Sequence, residues 1–537
     1  MRVADLFTIT NQYSEEVCFW IALTSDDSYR IAYQDKLGWL KKGESVRIEV
    51  DLEEVKIGFR QGRLPISGWY AEPVKVKTNR SVTLTEEKKI EQPGEEFANP
   101  DKTRAVNFLD ETMIQMHDIG RQIVVAALGK IPNVGGAVAG IVGAIWPEMK
   151  PKVEDLIQAS EERMKSWVHG RIQEYDRSFL ENTMGGLREN LTEYLNARSP
   201  AQRGQKFNIC LAAFNAAKAH FVKKNYTPGT ISLTFDLATM HLALLRERVV
   251  HPREILGDDT DVENHKKTLK NTIKDYQDFI KNIAIPGEMK WREKMMAITH
   301  GGPDIIGQAF TVVRDHATRE VHVFTKSANR GQGGNHTVLF EYYKSQALTS
   351  YRLALEANIG DPAQLWTLLD PDQANTQPIP LNRVVWVGPC TGLVNKANNE
   401  HGASGHLVNE DRPGLVKKIL VREYNEIDYI QLFYDDHTGG GVGNQKGGVE
   451  HVIDLPDGVF VHRVESWWDW QLSGIKFHFT NGKDTGKLGD RTGMGQHYQV
   501  ASYPGHRLST IRVDDRKSAM WFGFSPLLDY YKPKQLQ

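Results

Sequence analysis

The chain has 537 residues, of which 25% are charged and 40% hydrophobic, and its formal net charge is −2. A chain of this length and composition forms several globular cores, roughly three. Because Lys and Arg do not concentrate in one stripe, the sequence predicts no nucleic-acid partner. The 3 cysteines, Cys18, Cys210 and Cys390, lie far apart, which disfavours a disulfide framework and a zinc site. Paired carboxylates and nucleophile–base sets do not stand out either, so we expect neither an enzyme nor a cofactor or metal.

Residues 1–95 predict an antiparallel β-sandwich. Short alternating runs are separated by Asp, Gly, Asn and Pro clusters, and they include FTITNQY, VCFWIALT, SVRIEVDL and VKIGFR. The polar run 88–104 contains Pro93-Gly94 and breaks the alternation, which is typical of a linker. The first residues, MRVADLFTIT, lack an apolar core and a small-residue cleavage site, so we expect a soluble protein made in a cytoplasm.

Residues 105–285 change to a helical period and predict a bundle of about seven helices with a buried central helix. Residues 123–146 are strongly apolar, but Lys130 and Pro132 interrupt them, which disfavours a constitutive transmembrane anchor. Amphipathic helices are expected over 152–173 and 179–195. The last helix of the bundle should span Val262 to Ile283, and the bundle should end at Pro286-Gly287.

Residues 207–250 predict two successive apolar helices joined by a turn at 225–229. The second helix, from 231 to 250, carries only Asp236 as a charge before Arg246, so it should be buried on all sides. Its roughly 20 residues span about 30 Å, the thickness of a bilayer hydrocarbon core. We therefore expect the protein to keep this hairpin buried until it inserts into a membrane.

The first helix of this hairpin offers two interpretations. Asn208 and Asn215 share a face with Lys218 nearby, while apolar side chains that include Phe214 and Phe221 cover much of the rest. The polar face would line a water-filled pore, since unpartnered amides are costly in lipid. The alternative is a bundle helix with a partly solvated stripe.

In the second helix, the membrane-inserting candidates are Phe235, His241, Leu244 and Leu245. For His241 alone, a hydrogen-bonded core residue is the favoured alternative. Ion pairs at the bundle end would fasten the hairpin until a trigger releases it. Their candidate members are Asp236, Arg246 and Glu247.

Residues 297–537 predict a β-rich, receptor-binding region. Residues 297–385 mix strand-length runs with a segment, PAQLWTLL, that has a helical pattern. Residues 386–530 have the regular turn spacing of a sandwich, barrel or prism. Trp467 and Trp468 belong to the densest aromatic cluster, which suits stacking on sugar, contact with a membrane interface or packing between domains. The glycine run around Gly440 and Gly441 lacks the Gly-Lys-Ser/Thr of a phosphate loop and favours a β-turn loop.

The helical segment resembles the pore-forming helical domain of the three-domain crystal delta-endotoxins, which are insecticidal proteins. The resemblance follows one order along the chain, through IPNVGGAVAGIVGAIW, MGGLRENLTEYL, FNICLAAFNAAKAHF, FDLATMHLALLRERV and HKKTLKNTIKDYQDFI. The central helix carries the most specific block, with Met240 and Glu247 as departures from the family pattern. The resemblance implies a helical bundle that opens and inserts a hairpin.

Residues 386–530 resemble jacalin-related lectins, whose fold is a β-prism. The resemblance is carried by Val387-Gly388-Pro389, IDYIQLFY, HTGGGVG, VIDLPDGVFVHRVES and GHRLSTIRV. It implies sugar binding by backbone groups and by an aspartate that ends a Gly-x-x-x-Asp loop. Here that loop is matched to Gly505, His506, Arg507 and Ser509, so Ser509 stands where the family has its aspartate. A serine hydroxyl is a weaker acceptor than a carboxylate. The other candidate receptor contacts are Gly388, Gly440, Gly441, Trp467 and Trp468.

Together the two resemblances imply a pore-forming toxin that recognises a cell-surface glycan or glycoprotein and inserts its hairpin into the target plasma membrane as a homo-oligomer. Its partners would be that receptor, membrane lipid and further copies of itself. The alternative is a soluble defence lectin whose helical bundle is a scaffold or an oligomerisation unit.

Overall fold

The computed structural model describes residues 5–14, 16–22, 30–32, 39–42, 45–50, 54–60, 69–77, 82–92, 106–107, 174–223, 227–301, 310–317, 320–324, 336–372, 384–392, 407–410, 412–468, 471–490, 497–514 and 519–527. The predicted apolar run 123–146 and the predicted helix 152–173 lie outside these residues. Within them the chain forms two N-terminal sheets, a helical bundle and a C-terminal prism of three sheets.

The N-terminal strands form two sheets. The strands are β1 (Asp5–Asn11), β2 (Val17–Ala22), β3 (Arg30–Ala32), β4 (Trp39–Leu40), β5 (Ser45–Val50), β6 (Glu54–Arg60), β7 (Trp69–Lys77), β8 (Val82–Leu84) and β9 (Ile90–Glu91). One sheet has the order β3-β2-β6-β7, with β4 also paired to β2. The amide of Asn11 in the other sheet donates a 2.8 Å hydrogen bond to the carbonyl of Leu40, so it joins the two sheets.

The second N-terminal sheet is completed by strands from far along the chain. Strands β11 (Met296–Gly301), β12 (Phe310–Asp315) and β13 (Glu320–Phe324) extend it in the order β11-β12-β13-β5-β1-β8-β9. Strand β13 pairs with β5 in parallel, with Val321 opposite Ile48, and β8 is parallel to β1. The sheet is therefore mixed rather than purely antiparallel. Strands β11, β12 and β13, which the sequence groups almost entirely with the C-terminal region, belong to this N-terminal sheet instead.

The helical bundle contains α1 (Glu174–Leu195), α2 (Pro200–Phe221), α3 (Ile231–Val250), α4 (Pro252–Leu256) and α5 (Val262–Phe279). Helix α5 continues through a π-helical turn, Ile280–Ala284, into α6 (Ile285–Lys294). The predicted end at Pro286-Gly287 is therefore wrong. Pro286 falls in the first turn of α6, where a missing N–H is tolerated, so the chain stays helical to Lys294.

A helical segment follows β13 and lies between the modules. It consists of α7 (His336–Leu355), a π turn (Glu356–Gly360), α8 (Asp361–Gln364) and a 3-10 turn (Leu365–Leu369), and we call residues 336–369 the connector. The helical pattern in PAQLWTLL is thus confirmed. Leu353 and Ala357 join the prism core, whereas Tyr351 and Trp366 join the bundle core. Partly buried Tyr343 and Ala347 pack against the N-terminal sheet, so the connector contacts all three modules.

The C-terminal strands form a prism of three sheets, which confirms the predicted prism. Its strands are β14 (Val385–Thr391), β15 (Leu407–Glu410), β16 (Val416–Glu423), β17 (Ile427–Tyr434), β18 (Val442–Gly443), β19 (Val449–Asp454), β20 (Val461–Trp468), β21 (Leu472–Phe479), β22 (Leu488–Gly489), β23 (His497–Ser502), β24 (His506–Asp514) and β25 (Ala519–Pro526). The first sheet has the order β14-β25-β24-β15, the second β18-β17-β16-β19, and the third contains β23-β20-β21-β22. Strand β10 (Val106–Asn107), which follows the predicted linker, adds to the third sheet in parallel with β23.

Candidate functional site

Helix α3 is the axis of the bundle. Of its 20 residues, 17 are buried, including Phe235, Leu244 and Leu245, so the prediction of burial on all sides is confirmed. The sequence forms this helix because 12 of its 20 residues are apolar and no Gly or Pro interrupts it. A helix that has no wide polar face is stable in water only when other elements enclose it. Within the described residues, the length and apolarity needed to cross a membrane do not occur together in any helix.

His241 is a neutral core residue of α3. Its Nδ1 lies 2.9 Å from the hydroxyl of Tyr276 on α5, and its ring stacks on Phe214 of α2 at a centroid distance of 5.6 Å. Burial lowers the pKa of His241 to about 3, and the positive charges of Lys218 and Arg248 contribute to that shift. The imidazole therefore joins the helices α2, α3 and α5 in its uncharged form, as the favoured interpretation predicts.

Trp366 of the connector covers the middle of α3. Its indole Nε1 donates a 3.0 Å hydrogen bond to Oγ1 of Thr239, and its ring stacks on Phe235 at 5.2 Å. Trp366 is fully buried. Sequence reasoning missed this contact, although the apolar run in PAQLWTLL was a signal that this turn has a core to pack against.

Helix α2 is amphipathic, in contrast to α3. One stripe of buried residues at alternating spacings of three and four faces the bundle, and Asn208 and Asn215 lie on the opposite, exposed face. In the bundle, α2 is therefore a helix with a partly solvated stripe, which is one of the two interpretations of the sequence, and the lining of a pore by this face stays a prediction. The buried stripe consists of Phe207, Cys210, Phe214, Ala217 and Phe221.

Lys218 fastens α2 to α5. Its Nζ donates a 2.8 Å hydrogen bond to Oδ2 of Asp275 and lies 5.1 Å from the centre of the Tyr276 ring. The lysine side chain is 23% exposed and the aspartate 61% exposed, so the pair lies at the rim of the bundle. Such a partly exposed pair contributes little to stability by itself, but it positions Lys218 between solvent and core.

The charged residues of α3 differ in their surroundings. Asp236 and Glu247 are buried, whereas Arg246 is half-buried. Burial lowers the pKa of Arg246, and the neighbouring charge of Glu247 opposes that shift. Arg246 and Glu247 therefore act on each other, while the predicted release of an ion pair by a trigger stays a prediction.

The residues predicted to hold sugar are distributed over the three sheets of the prism. Gly388, Gly505, Arg507 and Ser509 belong to the first sheet or its loops, Gly440 and Gly441 follow β17 of the second sheet, and Trp467 and Trp468 lie on β20 of the third. Gly388 approaches the neighbouring strand closely, since an added Cβ would lie 2.9 Å from the carbonyl oxygen of Met520. Gly440 is exposed, whereas Gly441 packs against Tyr429 so closely that a Cβ would overlap the phenol.

Ser509 is 1% exposed, which makes it unsuitable as a sugar ligand. Its Oγ donates to the carbonyl of Gly523 at 3.2 Å and accepts from Ser525 Oγ at 2.7 Å. His506 is equally buried, and its Nδ1 bonds to the carbonyl of Pro504 at 2.8 Å. The motif match assigned these two residues to a sugar-binding loop, whereas both belong to strand β24. A short motif does not show where a strand begins.

The tryptophans of β20 have structural partners. Trp468 is buried and its Nε1 donates to Ser466 Oγ at 2.9 Å. The Trp467 ring stacks on Tyr498 at 5.0 Å, and Lys487 Nζ lies 4.5 Å from its centre. Packing accounts for Trp468, while Trp467 keeps partial exposure.

A polar cluster lies in the loops beside β24 and β17. It is formed by Arg412, Asp436 and His437, and we call these three residues the loop cluster. The side chains of Arg412 and Asp436 are 67% and 54% exposed and form an ion pair. His437 Nε2 donates to the carbonyl of Arg412 at 3.1 Å, and its ring stacks on Tyr434 at 4.2 Å. The hydrogen bond from His437 and the charge of Arg412 lower the pKa of Asp436, so the cluster keeps its carboxylate charged.

The helical bundle matches a known family by sequence. The family model described as delta endotoxin, N-terminal domain, matches residues 123–298. This stretch of about a third of the chain is therefore similar to the delta-endotoxin N-terminal domain. A curated relative, pesticidal crystal protein Cry12Aa of Bacillus thuringiensis, is 22% identical over 226 residues, which cover 38% of this chain and 18% of Cry12Aa. The chain thus spans less than a fifth of the length of the curated relatives it matches.

Solved structures are similar to parts of the chain. The insecticidal delta-endotoxin Cry8Ea1 of Bacillus thuringiensis is 14% identical, with a TM-score of 0.48, over 78% of this chain and 74% of that one. Frutapin, a lectin from Artocarpus incisa, is 15% identical, with a TM-score of 0.22, over 27% of this chain and 97% of frutapin. The delta-endotoxin domain that the family model matches precedes the prism in this chain.

Proposed function

We propose that this protein is a pore-forming toxin of the insecticidal type. Its β domains bind a glycan or glycoprotein on a target cell, and its delta-endotoxin domain then inserts the α2–α3 hairpin into the plasma membrane as a homo-oligomer. The protein is soluble before it meets the membrane, and the proposal includes no enzymatic step. The observation that carries it is the match of residues 123–298 to the delta-endotoxin domain, together with the enclosure of α3.

The two helices of the hairpin differ in polarity, which suits them to different positions in a pore. Helix α3 is the more hydrophobic of the two helices, whereas α2 keeps a polar stripe with Asn208 and Asn215. In a membrane, that stripe is stable only beside water or polar partners. The proposal therefore places α2 along the pore and α3 against lipid or neighbouring copies.

The energy for insertion comes from contacts that form after the bundle opens. Moving α3 from a protein core into lipid exchanges one apolar environment for another, so it yields little free energy by itself. Helix contacts between copies in the membrane supply the remainder, and receptor binding shifts the population toward the open bundle. Cleavage within residues 88–104 is a second way to bias this equilibrium.

Receptor recognition is assigned to the loop cluster of the prism. Arg412 and Asp436 are exposed, and together they offer hydrogen-bond donors and acceptors. The ring of His437 in the same loop stacks on Tyr434 of β17, which holds the loop against the sheet. Sugars are bound by such combinations of charged hydrogen-bonding groups on a rigid β scaffold. Ser509 and His506 are left out of this assignment because they are buried.

The second candidate is a soluble defence lectin in which the bundle is a scaffold. It is favoured by the connector, since one helical segment contributes to the bundle core and to the prism core. A scaffold of this kind would keep its helices together during ligand binding. The two functions differ in whether the α2–α3 hairpin must separate from α5.

The test is dye release from liposomes and from vesicles of sensitive cells, with and without limited proteolysis. The proposed toxin releases dye in at least one of these conditions. Absence of release in all of them, with intact glycan binding, would show that the lectin function is the right one.

A reversible crosslink separates the two candidates further. Lys218 and Asp275 are replaced by Cys in a chain whose native cysteines are removed, and a bifunctional reagent with a cleavable disulfide joins α2 to α5. The toxin loses dye release after crosslinking and regains it after reduction, whereas glycan binding is unchanged. A matched control joins Lys417 and Asp457, an exposed ion pair within the prism, and should leave release unaffected.

A further inference from the structure

Glu288 on α6 is a fully buried carboxylate that contacts two other elements. The backbone N–H of Gly229, in the turn before α3, donates to its Oε1 at 2.7 Å. The hydroxyl of Tyr351, on α7, donates to its Oε2 at 2.8 Å. One carboxylate thereby joins the turn of the hairpin to the connector.

The turn of the hairpin is suited to such a contact. Gly229 has a φ of 89°, a left-handed conformation in which glycine is favoured, and this conformation directs its N–H toward Glu288. The first turn of α3 contains no acidic residue, and Thr230 at its N-cap makes no side-chain capping bond. A negative charge near a helix N-terminus is stabilising, so Glu288 supplies from α6 what α3 lacks.

The position of Glu288 is fixed by its surroundings. Arg292, one turn further along α6, forms a buried ion pair with Asp315 of β12, in which its Nη1 donates to Oδ1 at 2.8 Å. Burial and the charge of Glu288 raise the pKa of Tyr351, so the phenol stays protonated and donates. Helix α6 is thus fastened to the N-terminal sheet, and the hairpin turn is fastened to α6.

We propose that Glu288 is a positioning residue that holds the hairpin turn in the closed bundle, and that loss of its bond to Gly229 is a step in hairpin release. This proposal rests on the proposed pore-forming function. We call the contact between Gly229, Glu288 and Tyr351 the turn latch.

The test compares three variants in the full-length chain. Glu288→Gln removes the charge of the turn latch with little change in shape, and Tyr351→Phe removes one of its hydrogen bonds. Tyr503→Phe is the matched control, because it removes a buried bond of 2.7 Å from a tyrosine to Asp361 that does not involve the hairpin turn. The readouts are hydrogen exchange of residues 227–234, the initial rate of dye release and the unfolding temperature.

We expect Glu288→Gln to raise both the exchange rate of residues 227–234 and the rate of dye release about tenfold. The amide has no charge and keeps only one acceptor oxygen, so the hydrogen bonds from Gly229 and Tyr351 are weakened. Tyr351→Phe should act in the same direction by a smaller factor. Tyr503→Phe should leave the exchange of that segment at the wild-type rate, even if its unfolding temperature falls.

The outcomes separate the two proposals. If the wild type releases no dye but Glu288→Gln accelerates exchange at the turn, pore formation is wrong and the turn latch stands. If the wild type releases dye and both latch variants match it in exchange and release, the turn latch is wrong. Equal acceleration in Tyr503→Phe would also overturn it, because general destabilisation would then explain the effect.

Discussion

Trp366 and Thr239 are joined by a hydrogen bond of 3.0 Å across 127 residues of sequence, from the indole Nε1 of the connector to Oγ1 in the middle of the buried helix α3. The same threonine hydroxyl donates to the carbonyl of Phe235, onto whose ring the indole stacks. The connector therefore covers α3 by both an apolar and a polar contact, and any motion that exposes α3 must break both.

Replacement of Trp366 by Ala should lower the free energy of unfolding by about 3–5 kcal/mol, because a large buried ring is removed and a cavity remains. Replacement of Thr239 by Val should cost about 1 kcal/mol, since shape is retained and the hydrogen bond is lost. Urea denaturation followed by tryptophan fluorescence and circular dichroism measures both. A Trp366→Phe/Thr239→Val double-mutant cycle with no coupling energy would contradict the role of the bond.

The stability of the bundle should fall below neutral pH because of His241. Unfolded histidine binds a proton below a pH of about 6.5, but burial holds the pKa of folded His241 at about 3. Protonation therefore favours the unfolded chain, so this stability is present above a pH of about 6.5 and is lost as the pH falls toward about 3. The loss approaches about 1.4 kcal/mol for each pH unit.

The variant His241→Gln isolates this contribution, since its amide can still bond to the hydroxyl of Tyr276. Its unfolding free energy, measured by urea titration between pH 7 and pH 4, should depend less on pH than that of the wild type. Parallel profiles for the two proteins would assign the acid sensitivity to other groups.

The exposed face of α2 should control ion selectivity if it lines the pore. Asn215→Asp adds a negative charge without disturbing the bundle core, because Asn215 is exposed. A charge about 5 Å from a permeating ion changes its energy by roughly 0.8 kcal/mol in water, which corresponds to about a fourfold change in the permeability ratio toward cations. Reversal potentials in planar bilayers measure this ratio.

Ala216→Asp is the matched control, because Ala216 is also exposed but lies about 100° around the helix. It should change selectivity less than Asn215→Asp. Equal shifts in the two variants would mean that the pore is not lined by the face that carries Asn208 and Asn215.

Glycan binding should depend on the loop cluster and not on Ser509. Arg412→Ala removes an exposed donor and should weaken binding about tenfold or more, as expected for a lost charge-assisted hydrogen bond. Ser509→Ala should leave affinity unchanged, because its hydroxyl is buried between Gly523 and Ser525. Glycan arrays followed by calorimetry test both variants. The reverse result, with affinity lost only in Ser509→Ala, would restore the motif-based assignment.

Local pattern in the sequence was sufficient for the elements themselves. The predominantly apolar character of residues 231–250 predicts a buried helix, and the alternating runs of residues 386–530 predict the strands of the prism. The same local signal failed at Ser509, because a four-residue spacing in a motif does not show which side of a strand faces a ligand. For Asn208 and Asn215 the local signal predicted a shared polar face, and the structure shows that this face of α2 is exposed in the bundle.

The sequence by itself determined which segments of this protein are helical, which are extended and which helix cannot face water, because propensity and periodicity act over neighbouring residues. Only the tertiary structure decided that β13 pairs with β5, that Trp366 covers Thr239 and that Glu288 meets Gly229. Each of these contacts joins residues that are far apart in the chain. Such contacts depend on how the sheets, the bundle and the connector pack together. The sequence around either partner has no hydrophobic periodicity that would indicate the other partner.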